Sequence, residues 1–446
     1  EALGLRCPSE PGVGTMTALL LRGGEVEGQA ADVLVDRGSV VAVGRDLRPT
    51  TPVEVLDVGG GAVLPGLHDH HLHLLAMAAA LDSLDVRHLR GADAFDHAVR
   101  TSDRTRVIGF HEHDHGPLDA GRLDALAAGR DLRVQHATGA AWIVAHDAGG
   151  WRHGPNPRSV GVVDLAAVGR GLLAVGVTGV TDATPTEDAT AIRLLAEADL
   201  PVEVVVTGGA GLPDDDLFPR GPVKLVIADH ETPDLAGLTA AIAAAHRGGR
   251  AVAVHCVTAP ALAVLLAAWA EVGAEPGDRV EHGAVIPPSA IPVLADLGVT
   301  VVTQPNFVAE RGDRHVAEVD AVDRPDLWRC GSLDAVGIPV GGGTDAPYGT
   351  PDPWAAMAAA VSRRTAGGRV LGPDESVTAE RARDLFLAPL EDPGGAPRRV
   401  AAGAPADLCV LDRPWVEARI DLGAVRVIAT IAGGRRWATT GGGAAG

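Results

Sequence analysis

The chain is expected to be an α/β protein: a (β/α)8 TIM barrel with a small β-sandwich domain formed by both termini and an insertion after the first barrel strand. Three observations predict this. Between residues 65 and 394, short apolar strands alternate with alanine-rich helical stretches, the pattern of βα units on a parallel sheet. The two ends read instead as short strands separated by Gly and Asp turns. Polar side chains able to bind metal recur where the middle strands end, and barrel sites are built at that carboxyl rim.

Taking the elements in order, Ala18–Leu21, Asp32–Val35, Val40–Val43 and Val53–Leu56 read as strands, and Asp407–Leu411 and Val425–Thr430 mirror them at the far end. Residues 16–64 and 395–438 are therefore expected to form one composite β-sandwich domain, with 65–394 as the barrel inserted into it. The barrel strands are expected at Leu67–His73, Val175–Asp182, Val202–Thr207, Val223–Ala228, Ala251–Cys256, Arg279–Gly283, Val299–Gln304 and Ile338–Thr344. About a hundred residues separate the first two, far more than a compact crossover uses. Residues 84–160 are thus expected to be an inserted lid and substrate subdomain; they carry His111, His113, His115 and His136.

Composition narrows the function. With 446 residues and 46% hydrophobic content the chain can bury a large core. Its net charge of −20 speaks against nucleic acid or an anionic membrane as partner. The expected partners are a small-molecule substrate and a second copy of the chain in a homodimer. Cys7, Cys256, Cys330 and Cys409 are scattered without a CxxC pair, which fits a reducing cytoplasm. The longest apolar run, Ala259–Ala270, contains Pro260 and falls short of the ~20 residues a membrane span needs.

The chemistry concentrates in VLPGLHDHHLHL, residues 63–74, which holds His68, His70, His71 and His73. In an extended strand His71 and His73 share a face, and two neutral imidazoles on one face are half of a metal site. Further strand ends supply His255, His282 and Asp345. The remaining candidate is Lys224, the sole lysine among 38 basic residues. Arginine replaces lysine well as a solvated charge, so the exception points to chemistry that only an amine performs. A desolvated amine can add CO2 and become a carbamate, an anion able to bridge two cations. Taken singly, His255 and His282 also suit a core, Asp345 a helix cap and Lys224 a buried structural amine. Together they describe two adjacent sites for divalent metal ions, with zinc as the expected ion. A metal-bridging hydroxide would then attack an amide-like bond, with Asp345 as general base passing its proton to the leaving amine.

These residues, in this order, resemble the amidohydrolase superfamily: the PGxxDxHxH start from Pro65 to His73, Lys224, His255, His282 and Asp345. The closer resemblance is to amidohydrolase family 3, the branch with N-substituted formamide deformylases. It is carried by Val223-Lys-Leu through Asp229, Arg279-Val-Glu-His282, Val302-Thr-Gln-Pro305, Gly343-Thr-Asp-Ala-Pro347 and Asp352-Pro353. Leu123-Asp124 followed by Val134-Gln-His136 resembles that branch's substrate-facing segment. The resemblance implies a metal-dependent hydrolase with its β-domain built from both termini. The chain departs from the pattern after His255, where Cys-Val-Thr stands in place of a small residue followed by Gly-Asp.

Around the metal residues, His136, Gln304, Asn306 and Tyr348 are expected to face substrate, and His68 and His70 to support the ligands from behind. Arg311, Arg314, Arg363 and Arg364 could recognise a substrate carboxylate, but the expected reading is exposed, solvated side chains. The function expected is hydrolysis of a C–N bond in an N-acyl, N-formyl or cyclic amide. The alternative is a mononuclear aminohydrolase that deaminates a heterocyclic amine. Such enzymes carry a Glu shortly after the fifth-strand histidine, and Cys256-Val257-Thr258-Ala259 offers none. A third reading, a barrel without catalysis, would leave costly buried polar groups idle.

Overall fold

The computed structural model describes residues 18–137, 141–144, 152–153, 164–186, 188–213, 217–227 and 234–438. Eight parallel strands lie close to the expected positions: β1 (Leu67–Leu72), β2 (Val177–Asp182), β3 (Glu203–Val206), β4 (Val223–Val226), β5 (Val252–Cys256), β6 (Arg279–His282), β7 (Thr300–Thr303) and β8 (Val340–Gly342). They are hydrogen-bonded in two arcs, β3-β2-β1 and β4-β5-β6-β7-β8. A few backbone bonds span the gaps between arcs. Lys224 N donates to Gly208 O at 2.8 Å, and Asp345 N donates to His71 O at 2.8 Å. Every residue of β1, β2 and β6 is buried, as expected where helices cover a parallel sheet. Ala228 and Asp229 lie outside the described residues.

Two four-stranded sheets come from the chain ends. One orders Ser39–Gly44, Gln29–Asp36, Leu19–Val26 and Glu54–Asp57; the other orders Arg435–Ala438, Val427–Ala432, Leu408–Leu411 and Val63–Pro65. Leu21, Val33 and Val35 of the first pack into one apolar cluster with Leu408, Val410 and Ile431 of the second. The strand Val63–Pro65 was not expected as a separate element. Its three residues are too few to show periodicity, yet Leu64 pairs with Cys409 and anchors the start of β1 to the C-terminal sheet. Gly66 makes the passage possible, because a Cβ there would lie 2.2 Å from Thr178 Oγ1.

The long first crossover contains a five-stranded sheet of its own, ordered Arg152–His153, Ala141–Val144, Arg133–His136, Arg106–Phe110 and Leu84–Asp85. It has a separate apolar cluster, including Phe95, Val107, Phe110, Leu123 and Val134. The insert reaches the segment after β8, where Arg87 Nη1 donates to Pro347 O at 2.8 Å. No helix among the described residues is long and apolar enough to cross a membrane.

Candidate metal centre

The ends of β1 and β8 are fastened together by Asp69. Its carboxylate accepts from His71 N at 3.1 Å, Thr344 N at 3.1 Å and Thr344 Oγ1 at 2.5 Å. Burial outweighs these bonds and raises Asp69 to about 7. Gly343 permits the close approach, since a Cβ there would sit 2.6 Å from His71 Cβ. Asp345 then turns back over β1 with φ +55°, and its carbonyl accepts from Tyr348 N and Gly349 N.

This arrangement places Asp345 Oδ1 3.2 Å from His73 Nε2 and 3.7 Å from His71 Nε2. The three side chains offer ligand atoms within 4.8 Å of one another, the one such His/Cys/Asp/Glu group among the described residues. Two of the atoms, His71 Nε2 and Asp345 Oδ1, are buried without a hydrogen-bond partner. Buried polar atoms left unpaired are costly, and a cation bound among them removes the cost. The donor set of two imidazoles and a carboxylate therefore fits a divalent metal.

The histidines are aimed from behind. The Nδ1–H of His71 donates to Glu281, whose other oxygen accepts from Arg279 Nε at 2.6 Å. His73 Nδ1 shares a hydrogen bond with Thr184 Oγ1 at 2.9 Å, and Asp182 accepts from both Leu74 N and Thr184 N at 2.9 Å. Each Nε2 is thereby turned toward Asp345. Burial, reinforced by Lys224, lowers His71 to about 4, so the ring is neutral and ready to ligate. Burial alone would raise Glu281, but Arg279, Lys224 and His71 outweigh it and hold the carboxylate well below its usual range.

His282 and His255 continue the cluster. The His282 ring lies 4.6 Å from that of His71 and 4.5 Å from that of His255, centroid to centroid. Its Nδ1–H donates to Gln304 Oε1 at 2.8 Å, and its backbone is left-handed at φ +69°. Two non-glycine residues held at positive φ, His282 and Asp345, are the kind of strain that collects at functional sites. Lys224 projects from β4 toward the same group, and both His71 and His282 feel its charge. Its Nζ is buried without a hydrogen bond, and burial lowers its pKa.

The residues expected to face substrate divide. Tyr348 stands by the cluster, its ring 5.3 Å from that of His73 and its hydroxyl bonded to the Gln135 side chain of the insert. His136 lies in the insert, its ring tilted against that of His111 at 5.1 Å between centroids. Gln304 and Asn306 are both buried, Gln304 engaged with His282 and Asn306 donating to Thr344 O at 3.0 Å. His68 does not back the ligands, because its Nδ1 is bonded to Ala388 O. Arg363 is fully buried and donates to the carbonyls of Leu327, Trp328 and Leu371, in contrast to the solvated role expected. Glu281 and Arg279 were not singled out in sequence. The available signal was a charged pair at alternate positions, Arg279 and Glu281, just before His282.

A family model described as amidohydrolase family matches residues 162–438. The chain is 26% identical to the N-substituted formamide deformylase of Arthrobacter pascens, over 87% of this chain and 91% of that one. Among solved structures it resembles an uncharacterized metal-dependent hydrolase from Pyrococcus horikoshii OT3, with TM-score 0.71, 18% identity, and 92% and 99% of the two chains covered. The corresponding protein from Pyrococcus furiosus gives TM-score 0.67, 19% identity, and 89% and 99% coverage. The chain belongs to the amidohydrolase family, and it is a hydrolase of carbon–nitrogen bonds.

Proposed function

We propose that the protein hydrolyses a small amide-like substrate, an N-formyl, N-acyl or cyclic amide, at a centre of two divalent ions, with zinc as the metal. His71, His73, Lys224 as its CO2-derived carbamate, His255, His282 and Asp345 would hold the ions. The observation that carries this reading is the meeting of His71 Nε2, His73 Nε2 and Asp345 Oδ1, two of them buried and otherwise unpaired. The buried, unbonded amine of Lys224 beside His71 and His282 supports the carbamate, since the neutral amine is the form that adds CO2. The match to a formamide deformylase over most of both chains supports the N-formyl class.

The chain's own residues divide the work. Bound metal would polarise the substrate carbonyl and lower the pKa of water. Asp345 stays ionised: burial would raise it, but the neighbouring His73, His71 and Arg311 outweigh burial and hold it low. It can therefore accept the proton of water at Oδ1 and return it to the departing nitrogen. Glu281, Thr184 and Gln304 keep the imidazoles oriented. Tyr348 and His136 would line the substrate's approach.

The same reading covers architecture. The two arcs would form one eight-stranded barrel, residues 65–394, and segments 16–64 and 395–438 a β-sandwich. Residues 84–160 would act as lid over the rim. Support comes from the backbone bonds at both gaps, the shared core of the terminal sheets, and the contacts of Arg87 and Gln135 with residues 347–348.

The test is elemental analysis of the purified protein, followed by a screen of N-formyl, N-acyl and cyclic amides with the metal found. Hydrolysis that is lost on chelation and restored by metal is expected. A metal-free protein that still hydrolyses amides would overturn the reading.

A further inference from the structure

Two arginines, Arg87 and Arg311, bond to the segment that follows Asp345, and Arg314 stands one helical turn beyond Arg311. Arg87 touches Pro347, and its charge is met by Asp85 at 2.6 Å. Arg314 lies 3.7 Å from Asp114. Arg311, on the helix Asn306–Glu318, has its guanidinium 3.9 Å from the centroid of the Phe307 ring, and its Nη2 donates to Tyr348 O at 2.6 Å. Among the described residues no carboxylate comes within 4.0 Å of it, and Nε and Nη1 donate no hydrogen bond.

A half-buried guanidinium whose Nε and Nη1 no described residue engages has donors open to a ligand. Stacking on Phe307 fixes its plane, and the Tyr348 carbonyl occupies one corner. Burial lowers Arg311 to about 10, and the foremost charge opposing that is Asp345 of the metal cluster. Arg311 thus shares the field of the site, one turn of chain from the Tyr348 ring that lies 5.3 Å from His73. Glu310 also faces the Arg311 charge, yet neither carboxylate forms an ion pair with the guanidinium. A planar fork with open donors is matched by a carboxylate.

We infer that Arg311 is a specificity-determining residue that receives a carboxylate of the substrate, so that the favoured substrates are N-formyl or N-acyl compounds bearing a negative charge. This rests on the amide-hydrolase reading above. A purely structural role, holding the Tyr348 carbonyl and hence the Asp345 turn, predicts equal losses on charged and neutral substrates.

The test compares N-formyl-alanine with its methyl ester on metal-loaded wild type, Arg311→Met and Arg311→Lys. Formate release is followed by kinetics and binding by calorimetry. In wild type, kcat/KM and affinity should favour the carboxylate by about ten- to a hundred-fold, the scale of a charge-assisted hydrogen bond. Arg311→Met should bring that ratio near one, mainly through KM, and Arg311→Lys should leave an intermediate ratio. No preference in wild type, or a preference kept in Arg311→Met, overturns the inference. Ester turnover without carboxylate preference would sink the Arg311 role and leave the hydrolase reading standing. Conversely, carboxylate-selective binding that Arg311→Met abolishes, with formate released from neither compound, upholds the anion site and counts against the hydrolase reading for this substrate class.

Discussion

Glu281 holds the Nδ1–H of His71 from a position 210 residues away in sequence, and Arg279 holds Glu281 in turn. All three side chains are buried. The contact fixes the tautomer of His71 and supplies negative charge behind the ring, both of which strengthen an imidazole as a ligand. Replacing Glu281 with Gln keeps the shape and removes the charge. Metal affinity, measured by competition with a chelator, is expected to fall by about ten- to a hundred-fold while the protein stays folded. Unchanged affinity would show that the carboxylate serves only the core.

Lys224→Ala removes the amine that would be carboxylated. The metal content per chain should drop from two to at most one, and amide hydrolysis should be lost. Two ions and full turnover in this variant would refute the bridging role.

Acid should weaken the metal-free protein. Burial, aided by Arg279, lowers His70 to about 3, and burial with Lys224 lowers His71 to about 4. An unfolded histidine titrates near ~6.5, so between about pH 6.5 and 4 the unfolded chain binds protons that the folded chain refuses. Stability is therefore greatest above the unfolded value and declines as pH falls through that window. Thermal melts of the metal-free protein should show a decreasing Tm below about pH 6.5, and His70→Asn should reduce the decrease. A Tm unaffected by acid would contradict the buried, neutral imidazoles.

Gly343→Ala places a methyl group 2.6 Å from His71 Cβ and 2.9 Å from its backbone nitrogen. Either β8 or β1 must shift, at a cost of about 1–3 kcal/mol. Denaturant unfolding should register that loss, and metal affinity should fall with it because His71 moves. An alanine variant with wild-type stability and affinity would mean that the strands are not tightly apposed there.

The strands that carry the centre were legible because strands buried on both faces read as apolar runs, and a polar residue at the end of such a run stands out. His71 and His73 were legible through the period-two geometry of an extended chain. Lys224 stood out through composition alone. The support behind the histidines was not legible. Glu281 meets His71 only because β6 and β1 face each other across the structure, and Gln304 meets His282 only through the neighbouring strand β7. Arg363 misled for a related reason: a long basic side chain is usually solvated, and only the fold shows three carbonyls converging on it. Local pattern specifies what a strand end can offer, whereas orientation depends on partners distant in sequence.

The central claim is that the strand ends gather a metal centre. It is tested most directly by anomalous diffraction at the zinc edge from crystals of the zinc-loaded protein. Two peaks are expected, one bounded by His71, His73 and Asp345 and the other reached by His255 and His282, with density for a carbamate extending from Lys224 between them. Zinc found away from His71 and His73, with an unmodified amine at Lys224, would contradict it.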